Sequence, residues 1–200
     1  MDGNSEMTWK YTCWLIQSDL NRHFGFHGWG IPFFKGYGIP GFRCVFWYRI
    51  CYYLRTKRDL RLLLFIVARW FYFRNQYRFG ISIPYDTKIG SGFYVGHYGG
   101  IFVSSYCEIG SNVNISQDVT LGGVVKNGVR MAAQVGDRVY IAPGVKAVGA
   151  VVIGSDSAIG SNCVVTKDVP DRSTVVGVPG RVISQEKGSK DYINNINYHE

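Results

Sequence analysis

The sequence predicts a mainly β chain: a left-handed parallel β-helix of six-residue repeats, preceded by a small α-helical N-terminal region. Three observations carry this expectation. Val135, Ile141, Ala147, Ile153, Ile159 and Val165 follow one another at six-residue steps, and all but Ala147 are β-branched. The same step runs through Ile83, Ile89, Val95 and Ile101, and then through Ile109, Ile115 and Leu121. The residue after a periodic one is often small, as at Gly136, Ala142, Gly154 and Gly160. A period of six is a multiple of the strand period of two and does not match the helical 3.6. Short strands with regular turns build a prism in which each inward side chain rests on its equivalent one coil away. Such coils stack about 4.8 Å apart, and three hexads per triangular coil give about five coils here.

Along the chain, residues 1–78 read as helices and loops. Trp9 to Asn21 is helical in pattern, and Phe24 to Gly41 is a Gly- and aromatic-rich connection with Pro32 and Pro40 as breakers. Phe42, Phe46, Ile50 and Leu54 recur every four residues and so share one helical face. A further helix is expected from Leu60 to Phe73. The β-helix occupies 79–183, with an eight-residue step from Ile101 to Ile109 and a fourteen-residue step from Leu121 to Val135. The second step leaves a loop, Gly122 to Gln134, that must leave the prism. A polar tail, 184–200, is expected to fray.

Composition narrows the classes further. Hydrophobic residues make up 46% of the 200, enough to bury a core. Cys13, Cys44, Cys51, Cys107 and Cys163 form no CxxC pair, and no secretory signal is evident, so reduced thiols in a cytoplasmic protein are expected. The net charge of +8 is concentrated: Arg43, Arg49, Arg55, Lys57, Arg58, Arg61, Arg69, Arg74 and Arg78 face only Asp59 within 42–78. The apolar run from Leu62 to Ala68 is far below the roughly 20 residues that span a bilayer. Two readings of this basic segment stay open. One is a helical cap with solvated arginines. The other is a peripheral contact with the inner membrane face, with Trp47, Tyr52, Trp70 and Phe71 at the headgroups. Nucleic acid is excluded as a partner because no binding motif accompanies the charge.

The segments IGSGFYVGHYGGIFV (89–103), NISQDVTLGG (114–123) and IGSNCVVTKDVPDRSTVVGVPGRVI (159–183) resemble the hexapeptide-repeat acyltransferases. Among these, the serine acetyltransferases and the O-acetyltransferases of capsule and polysaccharide biosynthesis are most alike. QSDLNRH (17–23) and PGFRCVFWYRICYYLR (40–55) resemble the polysaccharide branch. The resemblance implies a homotrimer that binds acetyl-CoA between neighbouring prisms, with no metal. It also implies that His97, in GHYGG, is the catalytic histidine. A general base is needed because an acceptor hydroxyl attacks a thioester poorly until its proton is removed. Histidine suits the task because its ordinary pKa lies near neutrality. For the donor the resemblance implies Gly123, Pro143 and Ser161 along the pantetheine, and Lys167 and Arg181 near the CoA phosphates.

Departures from the serine acetyltransferase pattern shape the acceptor expectation. Gly96 and Ser82 stand where that family carries acidic residues, and Arg130, Met131, Ala132 and Ala133 replace its Asp-Arg-His-Pro run. A zwitterion needs charged or well-bonded partners when buried. The expectation is therefore acetyl transfer to a carbohydrate hydroxyl, oriented by Tyr98, Ser104, Asn114 or Gln117. A serine O-acetyltransferase of cysteine biosynthesis and a non-enzymatic β-helix are the alternatives. Glu108 or a backbone carbonyl is expected to orient His97. A zinc hydratase of the same prism type would need three histidine ligands, and only His97 lies within the repeats.

Overall fold

The computed structural model describes residues 7–26, 28–55 and 61–198. Four helices come first. Helix α1 (Trp9–Phe24) starts where the Thr8 hydroxyl accepts from Tyr11 N at 3.1 Å, and it stops at Gly25, whose φ of 72° turns the chain out. Helix α2 (Ile31–Gly38) occupies the stretch expected to be a broken connection. Pro32 lies in its first turn and Pro40 in the first turn of α3 (Pro40–Leu54). A proline there forfeits no hydrogen bond, so both residues begin helices and break none. Helix α4 (Arg61–Phe79) runs six residues past the expected end, while Lys57, Arg58, Asp59 and Leu60 lie outside the described residues. Helix α3 has no single apolar face. Cys44, Val45, Tyr48 and Cys51 are buried with Phe42 and Leu54, because α1, α2, α4 and the prism surround it.

The prism has three faces of short strands, parallel along each face. The first holds β1 (Ile81–Ser82), β4 (Ile101–Val103), β7 (Thr120–Lys126), β11 (Lys146–Val148) and β14 (Val164–Val165). The second holds β2 (Lys88–Ile89), β5 (Glu108–Ile109), β9 (Gln134–Val135) and β12 (Val152–Ile153), extended by a bridge from Ile153 to Val169. The third holds β3 (Tyr94–Val95), β6 (Asn114–Ile115), β10 (Tyr140–Ile141), β13 (Ala158–Ile159) and β15 (Thr174–Val176). It is closed by the antiparallel β16 (Arg181–Ser184). Equivalent side chains stack as the period requires: Ile89 over Ile109, Val135 and Ile153, and Val95 over Ile115, Ile141, Ile159 and Val175. Nearly all of them are buried.

The fourteen-residue step becomes a hairpin. Strands β7 and β8 (Val129–Ala132) pair antiparallel around Asn127–Gly128, both with positive φ, as a two-residue hairpin turn prefers. The eight-residue step is displaced from its expected place. Val103 stacks on Leu121, so the two extra residues lie between Val95 and Val103, in the turn that carries His97.

The first coil has no coil above it to donate to its upward carbonyls, and the helices supply those donors. Tyr48 Oη gives 2.5 Å to Thr87 O, Gln76 Nε2 gives 2.7 Å to Ile83 O, and Tyr72 Oη also bonds Ile83 O. Arg49 reaches Ile89 O at 2.8 Å and Gly90 O at 2.6 Å, and Arg22 reaches Gly92 O at 3.0 Å. Asp19 anchors the other side of Arg49 through two bonds of 2.9 and 3.0 Å and accepts from Phe93 N at 2.8 Å. Both partners are buried. Burial works against the Arg49 charge, but the adjoining Asp19 carboxylate outweighs it and holds the guanidinium above its ordinary value.

The tail is expected to fray, and its described part is docked instead. Ser189 N donates to Asp156 O at 2.8 Å, and Tyr192 stacks on Tyr140 with centroids 4.6 Å apart. Asn195 O and Asn194 O accept from Asn21 and Arg22 of α1, each at 2.7 Å.

Two outcomes follow. Asp19→Ala leaves Arg49 buried without its partner and should cost about 3–5 kcal/mol in urea unfolding. A pairing with Arg49→Leu should cost less than the sum of the single changes. The second concerns His23, packed 4.5 Å from the Tyr94 ring, where burial and then Arg22 push its pKa down to about 4 from 6.5. Between those values the unfolded chain takes up a proton that the folded one refuses, so stability should fall as pH falls from about 6.5 towards 4. His23→Gln should flatten that slope in a pH series of melting temperatures.

Candidate active site

The prism has three edges, and the candidate residues other than Asn114, which lies within β6 of the third face, divide between two of them. Strand register puts His97, Gln117, Pro143 and Ser161 two residues after Val95, Ile115, Ile141 and Ile159. They therefore succeed one another down the edge between the third and first faces. Backbone bonds tie this stack together: Gly144 N to Gln117 O at 3.1 Å and Asn162 N to Pro143 O at 2.9 Å. Three coil steps separate His97 from Ser161, roughly 14 Å. Arg181 pairs with Val176 at the lower end of the same edge. Ser104, Gly123 and Lys167 follow Val103, Leu121 and Val165 on the next edge, between the first and second faces.

His97 is exposed, in a turn lengthened by two residues relative to the turns below it. Gly99 and Gly100, with φ of 102° and 68°, let the chain return to β4. Gly96 is fixed by a different constraint. A Cβ there would lie 2.8 Å from the Tyr94 ring, so the ring occupies the room that an acidic side chain would need. Glu108 lies on the second face and pairs with Lys88 at 2.6 Å, so it does not orient His97. The His97 ring makes no hydrogen bond among the described residues. Beside it, Tyr98 is exposed and sets its ring against Phe79, with centroids 5.4 Å apart.

Other candidates are engaged elsewhere. The Asn114 amide accepts from Arg22 at 2.6 Å and donates to Tyr192 O at 3.1 Å, so it joins α1, the prism and the tail. Ser104 Oγ accepts from Tyr106 N at 3.3 Å, and a Cβ on Gly123 would come within 2.8 Å of it. Gln117 Oε1 is shielded from solvent without a partner among the described residues. Of the positions aligned with the acceptor-holding run, Ala132 and Ala133 are core residues. Arg130, on the hairpin, bonds the Tyr106 hydroxyl and lies 5.3 Å from that ring. Sequence reasoning missed this pair, whose members are 24 residues apart.

Of the remaining histidines, His27 and His199 lie outside the described residues, and His23 is packed among rings. Burial pushes the thiols of Cys44 and Cys51 up to about 12 and that of Cys107 to about 11, which keeps them protonated. No group of three or more His, Cys, Asp or Glu among the described residues is placed to hold a metal. A groove of 990 Å³ lies on the second face beneath Thr8 and Tyr11; Glu108 lines it, but His97 and the candidate donor and acceptor residues do not.

Comparison with known proteins agrees with this architecture. The model of the bacterial transferase hexapeptide family (six repeats) matches residues 132–167. The serine acetyltransferase of Bacillus pumilus (strain SAFR-032) is 40% identical over 129 residues, 64% of this chain and 58% of that protein. A serine acetyltransferase solved in complex with cysteine is 31% identical, with a TM-score of 0.68 over 86% of this chain and 68% of that one. Another, solved in complex with CoA, is 26% identical, with a TM-score of 0.69 over 88% and 71%. The chain spans about three fifths of the length of the curated relatives it matches. Prism, stacked edge and exposed histidine turn thus come together with those likenesses, and the chain belongs to the hexapeptide-repeat acyltransferase family.

Proposed function

We propose that the chain transfers the acetyl group of acetyl-CoA to the hydroxyl of L-serine, with His97 as general base. The observation that carries this is the set of relatives: serine acetyltransferases from 36 to 40% identical cover up to 75% of the chain. It corrects the expectation of a carbohydrate acceptor and of a place in polysaccharide biosynthesis. That expectation counted missing charges position by position. Gly96 is closed by the Tyr94 ring, and Ala132 and Ala133 belong to the core, so their lack of charge says little about the acceptor.

In this reading the prism winds left-handed, three copies assemble, and acetyl-CoA lies along the edge from His97 towards Ser161 and Arg181. Gly123 and Lys167, on the neighbouring edge, would meet the donor across a subunit boundary. The His97 imidazole takes the proton from the serine hydroxyl as its oxygen attacks the thioester carbon. Backbone N–H groups stabilise the oxyanion. The C–S bond then breaks, and the proton passes from the imidazolium to the departing CoA thiolate, leaving O-acetylserine. Arg130, held on the hairpin by Tyr106, is the group proposed to meet the serine carboxylate. The reaction is placed in the cytoplasm, where acetyl-CoA is made and used.

Acetyl-CoA should raise the melting temperature, since it binds only the folded assembly. Serine-dependent release of CoA should then proceed with kcat/KM of about 10⁴ M⁻¹s⁻¹ or more. Turnover of a saccharide with none of serine would overturn the assignment. His97→Ala should lower kcat roughly a hundredfold or more with CoA affinity nearly unchanged. Arg130→Ala should lower kcat/KM for serine roughly tenfold or more, the scale of a lost charge-assisted bond.

A further inference from the structure

Helix α4 turns much of its apolar surface away from the protein. Ala68, Tyr72, Asn75 and Phe79 face inward and are buried. Leu63, Ile66, Val67 and Trp70 fall at i, i+3, i+4 and i+7 on the opposite side, exposed by 67, 56, 46 and 57%. Farther along that side, Tyr77 is almost wholly exposed. A contiguous exposed patch of this kind on a folded chain marks an interaction surface.

Half-buried rings connect the stripe to α2. Trp29, Phe33, Phe46, Trp47, Phe71 and Trp70 form an unbroken series of ring contacts with centroids 4.8 to 5.4 Å apart, linking α2 to α4 over α3. Ile31 and Phe34 of α2 are also exposed, by 73 and 75%.

The charge of this surface has one sign. Helices α2, α3 and α4 contain no Asp or Glu, while α4 alone carries Arg61, Arg69, Arg74 and Arg78. The guanidinium of Arg74 lies 5.7 Å from the Trp70 ring and that of Arg69 lies 5.0 Å from Phe73, so the cations flank the apolar stripe. No helix among the described residues is long and apolar enough to cross a membrane. A second copy docked through the same stripe would bring these arginines against their equivalents, a like-charge contact that disfavours such pairing. An anionic lipid surface offers apolar chains for the stripe and phosphates for its flanks.

We propose that the α2–α4 cap docks on a bilayer surface containing anionic phospholipid, with the Leu63–Trp70 stripe at the acyl boundary and the α4 arginines on lipid phosphates. The proposal is independent of which acceptor the enzyme uses. It is tested by co-sedimentation of the full chain with phosphatidylcholine vesicles, with and without phosphatidylglycerol. Partition onto the anionic vesicles should be at least roughly tenfold greater, as several arginines near such a surface require, and should fall with added salt. Leu63→Glu/Val67→Glu changes two exposed residues, so it should keep the wild-type melting temperature and CoA release while losing vesicle binding about tenfold or more. Equal binding to both vesicle types, or no binding to either, would overturn the proposal. So would undiminished binding by a folded variant. A concentration-dependent doubling of mass by light scattering, removed by the variant and without vesicle binding, would assign the stripe to a second copy instead.

Discussion

A coil of a parallel prism is satisfied only by its neighbours, and the first coil has a neighbour on one side alone. Its upward carbonyls must find donors or remain unpaired beneath the helices, at the full desolvation cost of each. Tyr48, Tyr72, Gln76, Arg49 and Arg22 meet that need from three helices. The cap is therefore bound to the prism by directional bonds as well as by apolar contact. The buried Asp19–Arg49 pair fixes the angle between α1 and α3 through a guanidinium that also caps two strand-end carbonyls. Replacing such a pair with apolar side chains would restore packing but not those donors.

That rigidity reaches the candidate base. Helix α3 starts hard against the third face: a Cβ at Gly41 would lie 2.1 Å from Val95 O, two residues before His97. Val95 is core, Gly96 is wedged under Tyr94, and Tyr94 touches His23 of α1. The lengthened turn is thus free only over the few residues beyond Gly96. The stacked edge below it repeats the same geometry coil after coil, which gives an extended ligand a straight track. Side chains contribute little to that track, and its regularity comes from the backbone.

The stacking of Ile89, Val95 and their successors was legible because a period of six admits one arrangement of inward residues. GHYGG marks His97 through the resemblance, and its role as base is proposed. Less accessible was anything set by packing between distant segments. Ile101 and Val103 are both buried, so the sequence does not tell which continues the column, and the two extra residues lie one hexad earlier than the period suggests. Pro32 and Pro40 read as breaks because proline at the start of a helix and proline outside one look alike until the following turn is known. Glu108 is eleven residues from His97 but on another face, a separation that sequence distance conceals. The acceptor is hidden from the sequence for a related reason: an aligned position need not face the ligand, and two such positions are core.

The docked tail has a consequence for the order in which the molecule becomes complete. Arg22 and Asn21 bond carbonyls 172 and 174 residues away, and Asn114 stands between them and Tyr192. Contacts of such sequence separation form late, because the intervening chain must be ordered before they are rewarded. During synthesis Ser18 and Asp19 of α1 find Arg49, Gly92 and Phe93 once the first coil is made, whereas Asn21 and Arg22 wait for the tail beyond the prism. The prism can grow coil by coil, each laid on the last. Final seating of the first helix is then a closing step, in which the two ends of the described chain fasten the structure between them.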